Sequence, residues 1–263
     1  MALGRASFAL GVAGLGLLNL ILRDFLPDLQ PMPDWLAGRA IWASLTGLVL
    51  LMASAGIAAN WRSRLAAIVM AVLFFVGVAL LHLPKLIAAP GDGGAWVSAF
   101  ELIALAGAAL VIAAESPHEP RFERRWNGFI DGLAIPGLTC FGLSSAVFGT
   151  VHVIYAKFLA SMIPAWIPGS LAWSYLIGTA RVAAGVSIVT RVKARLAAML
   201  LALMYGTWVL ILHVPRVAAD PVNPAEWTFM FLAIAFCGGA WLIAVSWPGS
   251  ALHPRVVDAP RAD

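Results

Sequence analysis

The sequence predicts an all-α, polytopic membrane protein of eight transmembrane helices, built as two parallel four-helix repeats. Three observations predict it. Of 263 residues, 62% are hydrophobic and 11% are charged, against about 25% charged in an ordinary soluble domain. The apolar residues fall into eight blocks near the length of about 20 that a helix needs to cross the hydrocarbon core. The chain also matches itself at a constant offset of 131 residues, the kind of internal repeat that sets an architecture.

The blocks span 6–27, 38–59, 65–87, 96–114, 133–157, 169–190, 196–217 and 227–247. The first has Arg5 ahead of it and superficially reads as a signal peptide. Its full-length counterpart at 133–157 favours a retained helix instead. Spans 1 and 5 are followed by the proline-punctuated stretches LPDLQPMPDWLAG and LASMIPAWIPG, expected to cap one face as short interfacial segments. Spans 2 and 6 follow Pro33-x-Trp35 and Pro164-x-Trp166, and share Gly38, Trp42 and Gly47 with Gly169, Trp173 and Gly178. Spans 3 and 7 open on Arg-Leu-Ala-Ala at 64–67 and 195–198. They close on His82-Leu83-Pro84 and His213-Val214-Pro215, where each proline removes a helix hydrogen bond and predicts a kink. Spans 4 and 8 share Pro90, Trp96, Phe100 and Gly107 with Pro221, Trp227, Phe231 and Gly238.

In all, 28 of 108 aligned positions are identical between 8–115 and 139–246. Apolar composition yields chance Ala and Leu matches, but not matched Trp, Pro and His at one offset. Four spans per unit is an even number, so both copies insert the same way up, as a parallel repeat. The expected organisation is a first unit at 1–115, a polar linker at 116–127, a second unit at 128–248 and a tail at 249–263. Gly11, Gly14, Gly16, Gly142, Gly149, Gly178 and Gly185 are small residues that let helices approach closely in lipid.

The net charge of +4 and the pI near 9.5 reflect topology and point to no nucleic-acid partner. Arg5, Arg62, Arg64, Arg121, Arg124, Arg125, Arg191, Lys193, Arg195, Arg255 and Arg261 all alternate onto one side of the eight spans. The other side has Arg23, Arg39, Lys85, Lys157 and Arg216. The positive-inside rule therefore puts both termini in the cytoplasm. Trp35, Trp42, Trp96, Trp166, Trp173 and Trp227 mark the outer interface, and Trp61, Trp126 and Trp247 the inner one. Asp131 opens span 5, where an acid suits the positive end of a helix dipole. His118 and His253 fall in polar, solvated segments. Cys140 and Cys237 lie inside spans, belong to no CxxC motif and read as packing residues.

Ionisable side chains within a bilayer are expensive and tend to be functional. His82 and His213 sit at equal depth in the two units. They are candidates to bind a metal or haem iron or to relay a proton, or else to bond neighbouring helices. His152 and Tyr155 are three residues apart and are expected on one helix face. Arg181 lies mid-span and needs an anion; Glu101 is the expected partner and Asp24 the second. At the aligned positions the other unit has Ile21, Asp24 and Leu50 for His152, Tyr155 and Arg181, and Leu232 for Glu101. Any site is thus expected where the copies differ, in the outer half between them. Arg23, Lys85 and Lys157 are near enough to the surface to snorkel. The sequence contains no Walker A, HExxH, GxSxG or strand-borne GxGxxG pattern.

The stretch from Gly142 to Arg195, with FGTVHVIYAKFLASMIPAWIPG and WSYLIGTARVAAGVSIVTRVKAR, resembles the DoxX family of small bacterial membrane proteins. It has the DoxX-like histidine or lysine late in helix 1, the Pro-Trp-Pro-Gly segment, and a Gly-rich helix 2 ending in basic residues. A fused tandem departs from the family's usual single four-helix unit. The resemblance implies a bacterial inner-membrane protein in the lipid bilayer, associated with quinone or thiol redox chemistry and with a membrane or periplasmic redox partner. Taken with the intramembrane polar residues, the leading expectation is a redox component or accessory subunit that binds quinone or haem through His82, Glu101, His152, Tyr155, Arg181 and His213. The competing expectations are a small-molecule transporter and a non-catalytic scaffold.

Overall fold

The computed structural model describes residues 1–118, 120 and 123–246. Trp247, His253, Arg121, Arg255, Arg261 and the tail at 249–263 lie outside them. The described residues form eight helices long and apolar enough to cross a membrane. They are α1 (Ala2–Leu22), α2 (Arg39–Ala58), α3 (Ser63–Ala88), α4 (Gly93–Glu115), α5 (Ala134–Ile154), α6 (Ser170–Thr190), α7 (Ala194–Ala219) and α8 (Pro224–Val245).

Each helix packs on the next in sequence, and α8 returns to α1, so the eight form a ring. The ring is pinched where α4 meets α8. These two are the most deeply buried helices, and they separate a lobe of α1–α3 from a lobe of α5–α7. The large apolar side chains on the ring's outside, such as Leu10, Ile41, Val72, Leu176 and Leu203, are exposed, as a lipid-facing surface requires.

Glycine seams set the closest approaches. A Cβ on Gly149 would lie 2.5 Å from the Gly178 carbonyl oxygen, and one on Gly185 would lie 2.5 Å from that of Gly142. One number rises as the other falls, so α5 and α6 are antiparallel along this seam. In lipid, where no hydrophobic effect joins helices, such contact supplies the attraction.

Side chains tie one end of the bundle together. Arg5 donates to the Asn60 side chain at 2.6 Å and to the Glu115 carbonyl at 3.1 Å. Arg64 is buried and donates to the carbonyls of Ala114, Ser116, Pro117 and Asn127 and to the Asp131 carboxylate. Arg64 is a structural clamp, whereas Arg62, Arg124, Arg125, Arg191, Lys193 and Arg195 are exposed. Asp131 does not open a transmembrane helix. It ends a short helix, Arg124–Asp131, and Arg64 and His118 hold it at 2.8 and 3.0 Å.

Several local devices recur 131 residues apart. Gly38 and Gly169 start α2 and α6 with φ near +70°, a conformation that glycine adopts without steric cost. Asp92 and Asn223 cap α4 and α8 with their side chains. Trp96 and Trp227 donate to the carbonyls of Pro90 and Pro221, each at 2.9 Å.

The prolines act differently from a simple kink. Val78–His82 and Val209–His213 are π-helical, with the Leu83 and Val214 amides bonded five residues back. A proline cannot donate, and its ring crowds the carbonyl four residues earlier; one wider turn relieves both. Such π segments are frequent at functional sites.

Candidate functional site

The two interfacial segments behave unequally. After α1 ends at Arg23, in the left-handed region, the chain folds back into the bundle. Phe25, Leu26 and Leu29 are almost fully buried. Buried Asn19 donates to Gln30 at 2.9 Å, and His82 Nε2 bonds the Leu29 carbonyl at 3.0 Å. The corresponding positions 131 residues later are Ala156, Lys157, Ala160 and Ser161, with Thr150 for Asn19. The bulky plug is gone, and Lys157 is exposed.

A cavity of about 270 Å³ lies inside the second lobe. Its walls come from α4 (Val97, Glu101), α5 (Phe148, His152), α6 (Ser174, Arg181), α7 (Tyr205, Trp208, His213) and α8 (Leu232, Phe236), with Leu159, Met162 and Ile163 from the loop. The lining is mostly apolar, and the volume is near the lower end of small-molecule pockets.

Arg181 organises the polar part. The side chain is 94% buried. Its guanidinium carbon lies 4.7 Å from the ring centre of Phe148 and 5.5 Å from those of Tyr205 and Trp208, so aromatic faces replace part of its hydration. Its Nη2 donates to the Tyr205 hydroxyl at 3.0 Å. Its Nε has no hydrogen-bond partner among the described residues. Ser174 Oγ and His213 Nδ1, both from cavity-lining residues, are also unpartnered.

The expected partners of Arg181 are not in contact with it. Glu101 lines the same cavity but lies in no ion pair among the described residues. Asp24 is engaged by Arg39. Glu101 reaches the cavity from α4 and Arg181 from α6, and aromatic rings enclose the guanidinium.

His82 is not part of this cavity; its imidazole is spent on the Leu29 carbonyl in the other lobe. His213 lines the cavity and His82 does not. Among the described residues no group of three or more His, Cys, Asp or Glu side chains is placed to hold a metal. His152 does line the cavity, stacked on Trp208 with ring centres 6.0 Å apart. Tyr155 does not share its face: α5 stops at Ile154, and Tyr155 leans over Gly93, with its hydroxyl 3.4 Å from the Gly91 carbonyl.

Sequence reasoning missed Tyr205, Trp208, Phe148 and Ser174. Their aligned positions hold Phe74, Gly77, Leu17 and Ala43, so a full comparison of the halves for gained aromatic and hydroxyl groups reveals them.

The two histidines make a direct test of this asymmetry. His82→Leu leaves a buried carbonyl without its donor, at a cost of about 1–3 kcal/mol, and a lower thermal midpoint in detergent is expected. His213→Leu removes no hydrogen bond found among the described residues and should leave that midpoint almost unchanged.

Compared with known proteins, the chain matches no family model, no curated protein and no solved structure.

Proposed function

We propose that the chain is a DoxX-like membrane redox component or accessory subunit whose second-lobe cavity binds the head of a quinone. One observation carries the reading: a buried, aromatic-boxed arginine presents a Nε without a partner among the described residues in a mostly apolar chamber. A buried donor without an acceptor is costly, and a flat ring bearing carbonyl oxygens supplies the acceptor while filling the apolar space. Phe148, Trp208 and Phe236 suit the ring. Arg181, Ser174 and His213 suit its oxygens. Haem fits less well, because the cavity offers His213 without His82.

A bound quinone supplies two-electron chemistry, and the chain's own residues would bind and orient it. Electrons would pass to or from a membrane or periplasmic partner protein. The exposed basic residues at the Arg5 end support placing both termini in the cytoplasm, which puts the cavity in the outer half of the membrane. The likeness of Gly142–Arg195 to the DoxX pattern supports the same class, and the recurrence at 131 residues supports two parallel copies, one plugged and one hollow.

The test is to purify the protein in mild detergent, extract it with organic solvent and assay for quinone. Stoichiometric quinone, or micromolar binding of a short-chain benzoquinone that quenches the cavity tryptophan fluorescence, is the expected result. Protein with neither would sink the reading. Substrate flux in proteoliposomes would move it to the transporter class.

A further inference from the structure

The first unit has a recess of its own, an open groove of about 480 Å³ between α1 and α2. Arg23, just past the end of α1, stands at one end of it. Leu20 of α1 and Ala40, Ser44, Leu45 and Leu48 of α2 form its walls, and Ala40, Leu45 and Leu48 are exposed. The α2 wall from Ala40 to Leu48 is about 12 Å long at the helical rise per residue. That is close to the ~15 Å depth of one leaflet's hydrocarbon. Among the described residues Arg23 makes no hydrogen bond or ion pair. The adjacent acid, Asp24, is taken by Arg39, which also holds Asp34. The second unit departs at the residues that make this groove. It has Ile154 for Arg23, Leu171 for Ala40 and Tyr175 for Ser44, so the cation is missing and bulky side chains replace small ones.

We propose that this groove binds a phospholipid of the surrounding bilayer, with the phosphate on Arg23 and an acyl chain along Leu20, Leu45 and Leu48. Three features select that occupant. The groove is walled by membrane-spanning helices and its apolar residues are exposed, so its occupant comes from the bilayer. Its wall has the length of one leaflet's chains. Its free cation lies where α1 ends, at headgroup level, and a guanidinium bonds phosphate oxygens through charge-assisted hydrogen bonds. The Ser44 hydroxyl has no partner among the described residues and suits the ester carbonyls below the phosphate. The groove shares no lining residue with the second-lobe cavity, so the site is independent of what that cavity binds.

The test is native mass spectrometry of delipidated full-length protein in mild detergent. The probes are dioleoyl phosphatidylglycerol and dioleoylglycerol, which has the same chains without the phosphate. Wild type should take up a single phosphatidylglycerol about tenfold more tightly than the diacylglycerol, the worth of one charge-assisted hydrogen bond. Arg23→Asn removes the charge and suits the left-handed φ of 52° at this position; the ratio should fall to about one. Arg23→Lys keeps the charge and should keep most of the preference. Ser44→Tyr, the residue at the aligned position, fills the groove and should lose this uptake with both probes. Lys157→Ala removes an exposed cation at the same end of the second unit and should change nothing. No preference in wild type, or one that Arg23→Asn leaves intact, would overturn the proposal. So would an equal loss in Lys157→Ala, which would assign the preference to general surface charge. Undiminished uptake by Ser44→Tyr would overturn the groove as the seat of the chain. Should Ser44→Tyr not fold, Ser44→Leu carries the same expectation and the same consequence.

Discussion

Replacing Arg181 with leucine is expected to abolish ligand binding while raising the stability of the ligand-free protein. The first half of the chain already carries leucine at the aligned position, Leu50, where it is fully buried in the core. An arginine at the centre of a transmembrane helix costs about 2.5–3.5 kcal/mol on insertion scales. The Tyr205 hydrogen bond and the three aromatic faces offset part of that, but Nε stays unsatisfied. A gain of about 1–2 kcal/mol is therefore expected, as often follows when a residue held for function is removed. It is read as a higher midpoint in a detergent melt followed by tryptophan fluorescence. Tyr205→Phe provides a separate check: it removes the arginine's hydrogen-bond acceptor and should lower the midpoint. If Arg181→Leu instead unfolds the protein, Arg181 is part of the scaffold and the cavity loses its case as a ligand site.

Removing Arg64 should have the largest effect on folding. Its guanidinium gathers five acceptors from the end of α4, the linker and the short helix before α5. Arg64→Ala strands these carbonyls and leaves Asp131 with His118 alone. Breaking a buried pair costs about 3–5 kcal/mol. Asp131 is itself 41% exposed, so the lower figure applies. The expected signs are loss of a cooperative melt and rapid proteolysis between Glu115 and Asp131. Arg195→Ala is the matched control, since the aligned arginine is exposed, and it should change little. Arg64→Lys keeps the charge but lacks the planar fork, so it should rescue only part of the loss.

These two arginines show where sequence reasoning reached and where it stopped. Arg64 and Arg195 occupy the same place in a shared Arg-Leu-Ala-Ala stretch and looked alike. Only packing against the linker distinguished a buried clamp from a surface charge. Arg181 was recognisable from sequence because an arginine inside an apolar block is anomalous in any fold. Its surroundings were not. Pairing it with Glu101 assumed that opposite charges in the same region must form an ion pair, whereas the guanidinium sits among the rings of Phe148, Tyr205 and Trp208 and bonds the Tyr205 hydroxyl. His82 and His213 misled in the same way. Equal spacing made them a pair, but a carbonyl already occupies the first.

The sequence alone determined the eight apolar helices, because crossing lipid demands a run of about 20 apolar residues whatever the neighbours are. It also carried the internal match at 131 residues, which is a property of order along the chain. The tertiary structure decided that the helices close into a ring pinched by α4 and α8, that Phe25, Leu26 and Leu29 are buried in one lobe, and that a cavity around Arg181 lies in the other. Those outcomes depend on which side chains meet between segments distant in sequence. In a bilayer both sides of such a contact are apolar, so hydrophobicity marks the helices without saying how they pack.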